Sequence, residues 1–194
     1  YRLKNYKKIM RVISGFLKAK RINFLKNVNT RPLKDSVKEN IFNILSHSNS
    51  IGVKIVNSNV LDLYSGIGSF GIECISRGAR KVSFIEQDFL ANDVLKKNLD
   101  KLSILEKSAI YNNTIENVLL DIKEKFNVFF FDPPFADSKF IKNIELIRER
   151  KIFSSSHVLI VHREKKTNED FQKIFKTIDT KQYGRSKIIF GKFT

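Results

Sequence analysis

The sequence predicts an α/β fold: a mostly parallel sheet with helices on both faces, closed by a C-terminal antiparallel hairpin. Three observations predict it. Short apolar runs alternate with segments of helical period from residue 60 to 162. A glycine-rich turn, Gly66-x-Gly68-x-x-Gly71, joins the first of these runs to its helix. The tail alternates in polarity on both sides of Tyr183-Gly184-Arg185, the pattern of a hairpin.

Each element has its own signal. Arg11-Val12-Ile13-Ser14-Gly15 reads as a short strand and turn. Asp35 stands where an N-cap belongs, and Val37, Ile41, Ile44 and Leu45 recur at helical spacing, so 35–46 is expected to be an amphipathic helix. Residues 60–64 (VLDLY) form a buried strand. The helix after the glycine turn carries Phe70, Ile72, Cys74 and Ile75 and ends at Gly78, a C-cap glycine. Residues 81–86 (KVSFIE) are the next strand. Asp88 opens a helix carrying Leu90, Val94, Leu95 and Leu99. A weak strand at 108–113 leads to a helix capped by Thr114 and running through Lys125. The strand NVFFFD (127–132), a helix over 138–150 and the strand HVLIVH (157–162) complete the alternation. Right-handed crossovers then bring ligand-binding loops to the carboxyl ends of the strands.

Composition narrows the function. A chain of 194 residues with one cysteine, Cys74, excludes a disulfide framework and a cysteine-based zinc site. Its apolar runs fall far short of a membrane span, so a soluble, cytoplasmic protein is expected. Net charge is +16, and residues 1–34 hold eleven Lys and Arg with no acid. A one-signed segment of that length seeks a polyanion, and nucleic acid fits best. The expected organisation is a basic, nucleic-acid-binding N-terminal extension, 1–34, followed by an α/β domain, 35–194.

The glycine pattern lets backbone approach a ligand closely, and Glu86, twenty residues past Gly66, can accept both hydroxyls of a ribose. The pattern serves dinucleotides and S-adenosylmethionine alike. Asp62, inside the preceding strand, favours a cationic sulfonium and would repel a pyrophosphate.

Asp132-Pro133-Pro134-Phe135 ends another strand at the same sheet edge. Two prolines stiffen the corner. They can hold the Asp132 carboxylate and the Pro133 carbonyl as two acceptors facing one planar amine, with Phe135 stacked on the ring that bears it. That arrangement suits methyl transfer to an exocyclic base amine, where orientation can contribute about 7–11 kcal/mol.

SGIGSFG, IEQD and DPPF, in that order, resemble the amino-group methyltransferases. RVISG (11–15), RPLKDSVKENIFNIL (31–45), LDLYSGIGSFGIECISRGA (61–79) and YGRSKIIFGKF (183–193) resemble the RsmD-type ribosomal RNA guanine-N2 methyltransferases. The resemblance implies a Rossmann-like, seven-stranded methyltransferase sheet, S-adenosylmethionine as cofactor, and a guanine in small-subunit ribosomal RNA, free or in an assembly particle, as target. It implies that Ser65, Gly66 and Gly68 line the cofactor, Glu86 holds its ribose, Asn113 lies near its adenine, and Arg31 joins that set with Asp62. Asp132, Pro133 and Phe135 would hold the base. The sequence departs from the family at Ser14, Leu33, Lys34 and Ser36, and at Ala19, where the family has a glycine between basic residues.

The three histidines lack metal spacing, and His157 and His162 are expected to be structural. Phe16 and Phe24, among the N-terminal basic residues, suit either stacking on bases or packing. No metal and a monomer are expected. The competing functions are adenine-N6 methylation of RNA or DNA, a NAD-linked oxidoreductase, and a binding factor without catalysis.

Overall fold

The computed structural model describes residues 10–25 and 33–194. Arg31 lies outside them. A two-residue antiparallel pair, β1 (Met10–Arg11) and β2 (Arg21–Ile22), is followed by α1 (Asp35–His47). The alternating region is β3 (Asn59–Leu63), α2 (Ser69–Ser76), β4 (Lys81–Ile85), α3 (Phe89–Lys101), β5 (Ser108–Tyr111), α4 (Ile115–Asp121), β6 (Phe126–Phe131), α5 (Phe140–Arg150) and β7 (Phe153–Glu164). The hairpin β8 (Lys176–Tyr183) and β9 (Ser186–Lys192) closes the chain.

Seven strands form one sheet in the order β5-β4-β3-β6-β7-β9-β8. The first five in that row run parallel, and β9 enters antiparallel between β7 and β8. This is the seven-stranded arrangement that the resemblance implies. Strand order reverses between β3 and β6, so the loops after these strands open side by side, where open α/β sheets bind their ligands.

Period-two alternation assigns each strand residue to a face. Val60, Phe84, Phe130 and Ile160 pack with α1, α2, α3 and β1–β2. Leu61, Leu63, Phe129 and Phe131 pack with α4, α5 and Phe171–Phe175. The described part of the N-terminal extension is not set apart from this body. Met10, Val12, Leu17 and Ile22 are buried in the first of the two cores.

Three local expectations change. Asp35 is the first helical residue rather than the cap; Lys34 holds the cap position without a side-chain bond, and the Asp35 carboxylate lies 3.8 Å from the Lys38 ammonium instead. The helix capped by Thr114 stops at Asp121, because Ile122 turns extended while staying buried and leads the chain into β6. Strand β7 is twice the expected length, extending to Phe153 and Glu164. On α3, Leu90 is exposed, and Asn98 occupies the buried face. Asn98 accepts the Asn23 N–H at 2.7 Å and donates to the carbonyls of Ile67 (3.1 Å) and Asn23 (3.2 Å). An amide is needed there because α3 packs against two loops with unpaired backbone groups.

Candidate functional site

The loop after β3 is built by its own polar groups. Tyr64 leaves the strand at φ +60° and Gly66 follows at +53°. The second angle is in the left-handed region, and a Cβ at Gly66 would meet open space rather than protein, so the residue presents bare backbone. Glu86, at the end of β4, accepts the Gly66 N–H at 2.7 Å and the Asp88 N–H at 2.8 Å. Burial raises its pKa while these bonds hold it down. Asp62 accepts the Gly71 N–H at 2.9 Å, locking the carboxylate against the start of α2. Gly68 and Gly71 serve packing. A Cβ would come within 2.4 Å of Leu95 at the first and 2.2 Å of Phe84 at the second.

These groups border a cavity of about 790 Å³, within the range of sites for drug-sized ligands. Asp62, Ser65, Gly66, Glu86, Asn113, Asp132, Pro133 and Phe135 all line it. Gly68 does not. It is the N-cap of α2, with its N–H on the Ser65 carbonyl at 2.8 Å. The stacked rings of Phe70 and Phe130, 3.9 Å apart, form part of the wall. Phe24 and Leu33 of the N-terminal extension line the same space, so Phe24 faces the site whereas Phe16 stays exposed on the surface.

The corner after β6 is held from two sides by neighbouring residues of β7. His162 Nδ1 lies 2.7 Å from Asp132 Oδ1. His162 is therefore part of the site, against the expectation of a purely structural role, whereas His157 binds the Ser154 carbonyl and the Phe193 N–H far from the cavity. Arg163 donates to the carbonyls of Pro134 (3.2 Å) and Phe135 (2.9 Å) and pairs with Glu169 at 2.5 Å. The Pro133 carbonyl accepts no hydrogen bond among the described residues, so it stays available beside Asp132.

Sequence reasoning missed His162, Arg163, Lys38 and Asn143. The Lys38 side chain is wholly buried, donates to Ser69 Oγ at 3.0 Å, and has its pKa lowered by burial. Asn143 lines the cavity and donates to the Tyr64 hydroxyl at 3.1 Å. A lysine inside an apolar helix face was the one available hint. The others depend on which strands become neighbours.

The acids suit a cation. Asp62 is fully buried, and desolvation, reinforced by Asp132 and Glu86, pushes its carboxyl up to about 8 despite the Gly71 N–H. A positive ligand group beside it would restore the charge. Among the described residues no group of three or more His, Cys, Asp or Glu is placed to hold a metal, and no helix is long and apolar enough to cross a membrane.

Residues 10–192 match the protein family described as conserved hypothetical protein 95. The chain is 33% identical over 164 residues to the ribosomal RNA small subunit methyltransferase D of Haemophilus influenzae, covering 83% of this chain and 82% of that one. It is 32% identical over 155 residues to the protein of the same name from Buchnera aphidicola, covering 80% and 78%. The solved structure of Escherichia coli yhhF superposes with a TM-score of 0.79 at 24% identity, over 95% of this chain and 98% of that one. With the match spanning nearly the whole chain and the site built as described, the chain belongs to the RsmD-type family of S-adenosylmethionine-dependent methyltransferases.

Proposed function

We propose that this chain transfers a methyl group from S-adenosylmethionine to the exocyclic N2 amine of a guanine in small-subunit ribosomal RNA. The observation that carries the reading is one cavity shared by two sets of groups, Asp62, Gly66 and Glu86 on one side and the Asp132–Phe135 corner on the other. The names of the relatives support ribosomal RNA as the substrate class.

The cofactor, when bound, supplies a methyl group on a sulfonium. Glu86 would accept the ribose hydroxyls, Asn113 would sit beside the adenine, and Asp62 would face the positive end, with Ser65 and Gly66 presenting polar backbone. Asp132 and the open Pro133 carbonyl accept the two N–H bonds of the target amine. That holds the nitrogen in line and stabilises the positive charge it gains. Phe135 stacks on the base. The NAD-linked alternative is disfavoured, because Asp62 and Glu86 border the loop where a pyrophosphate would lie, and its negative charge would oppose their ionisation where a cation would favour it.

The test incubates the protein with labelled S-adenosylmethionine and unmodified small-subunit RNA or particles, then identifies the methylated nucleoside. N2-methylguanosine from wild type, with at least a ~10²-fold loss in Asp132→Ala, is the expected result. Methyladenosine would keep the site and overturn the substrate. Absence of transfer to RNA, DNA and particles would overturn the activity.

A further inference from the structure

β7 carries a second polar chain that reaches the reacting corner. Asp132 follows β6, whose last residue, Phe131, pairs with Val161. His162 therefore stands beside Asp132 in the next step of the register. On the far side β7 pairs with β9, with Glu164 opposite Ser186. His162 faces Ile188 directly and Ser186 lies on the diagonal, so the side chains of Asp132, His162 and Ser186 form one hydrogen-bonded row across β6, β7 and β9. His162 Nδ1 lies 2.7 Å from Asp132 Oδ1, and His162 Nε2 lies 2.9 Å from Ser186 Oγ.

Both contacts of the ring can be satisfied at once. An ionised carboxylate only accepts, so Nδ1–H donates to Asp132. In the neutral ring Nε2 then accepts the Ser186 hydroxyl proton. Each end fixes the imidazole plane. The ring also meets Phe135 edge-on, with centroids 5.8 Å apart, and only 9% of the His162 side chain is exposed. Asp132 has no other hydrogen-bond partner among the described residues, so Oδ1 is taken by His162 and Oδ2 is left for substrate.

We infer that His162, held by Ser186, is a positioning residue for methyl transfer: it fixes the Asp132 carboxylate and the Phe135 ring so that the second carboxylate oxygen meets the target amine. The inference rests on the proposed role of Asp132. The prolines fix the backbone of the corner but not the two side-chain torsions of Asp132, and Arg163 bonds the corner through its backbone carbonyls. Without His162 the carboxylate rotates freely. A displacement of about 1 Å in a reacting group can cost ~10²-fold in rate.

The experiment compares wild type with His162→Ala, His162→Asn, Ser186→Ala, Asp132→Ala and the Asp132→Ala/His162→Ala double variant. Single-substrate kinetics on small-subunit RNA or particles are joined by calorimetric titration of the cofactor and by melting curves. His162→Ala is expected to lower kcat by ~10- to 100-fold, with KM for RNA and cofactor affinity changed by less than about threefold. His162→Asn, whose amide nitrogen can stand where Nδ1 stood, recovers most of that loss. In the Asp132→Ala background, removal of His162 costs nothing further, as expected of residues acting as a unit. If His162→Ala does not fold, Ser186→Ala carries the test at smaller amplitude, a ~2- to 10-fold loss of kcat with KM unchanged. Wild-type kcat in the folded variants, or an equal loss with and without Asp132, would overturn the inference while leaving the proposed function standing. Wild-type activity in Asp132→Ala would overturn both.

Discussion

Asp62 lies where local chemistry and ligand preference meet. Its carboxyl is held up at about 8 by burial, whereas in an unfolded chain it ionises near 3.8. A raised pKa favours the neutral form in the fold. The stability this group contributes is therefore complete below about pH 4 and is lost as pH climbs towards 8. Asp62→Asn, which keeps an acceptor for the Gly71 N–H, should melt progressively higher than wild type across that window. The same variant should bind S-adenosylmethionine at least ~10-fold more weakly. Wild-type binding at pH 7 should release a proton, read by calorimetry in buffers of different ionisation heat. Unchanged affinity and no proton release would remove Asp62 from the cofactor site. Ala19 offers a separate test. It sits at φ +67°, a conformation that strains any residue with a Cβ. Ala19→Gly should stabilise the chain by about 0.5–1 kcal/mol in denaturant melts. A loss of stability would show that the angle is imposed without strain.

Among the elements, the β1–β2 segment depends on α2. Glu73, buried in α2, accepts the N–H groups of Ile13 (2.8 Å) and Ser14 (2.9 Å) while pairing with Arg77 at 2.8 Å. Ser76 Oγ accepts the Leu17 N–H and donates to the Ser14 carbonyl, and the Ser76 carbonyl accepts the Phe16 N–H. Gly15 makes this docking possible, because a Cβ there would lie 1.9 Å from the Ser76 carbonyl oxygen, a backbone atom. Gly15→Ala should destabilise the chain by about 1–3 kcal/mol and speed hydrogen exchange selectively over residues 10–22. Wild-type protection would mean that the segment is held by its apolar contacts alone. The glycine was legible as a turn. Its docking role was not, since Glu73 and Ser76 are about 60 residues away in sequence.

For the whole molecule, a charge of +16 must find counter-charge. Arg11, Lys18, Lys20 and Arg21 are exposed on the described part of the extension, which also lends Phe24 and Leu33 to the cavity. Electrostatic binding to RNA should therefore depend steeply on salt. Four phosphate contacts predict a ~50- to 150-fold loss of affinity between about 50 and 200 mM salt. Replacing Lys18, Lys20 and Arg21 by alanine should flatten that dependence, measured by filter binding. A salt response identical to wild type would place the RNA contacts elsewhere on the surface.

The order of strands and helices was legible in the sequence, as were the loop at Gly66, the acids Asp62 and Glu86 and the corner at Asp132. These signals act locally: side-chain period, capping and turn chemistry operate over a few residues, and an acid at a strand end lies at the sheet edge whatever surrounds it. Tertiary structure alone decided what holds these groups. His162 read as a structural histidine, Ser186 fell in the predicted hairpin, and Asn98 carried no signal. Their roles follow from the placement of β6, β7 and β9 as neighbours and from the packing of α3 against the glycine loop. Strand adjacency and register are set by global packing of two apolar faces, and a single chain carries no local mark of either.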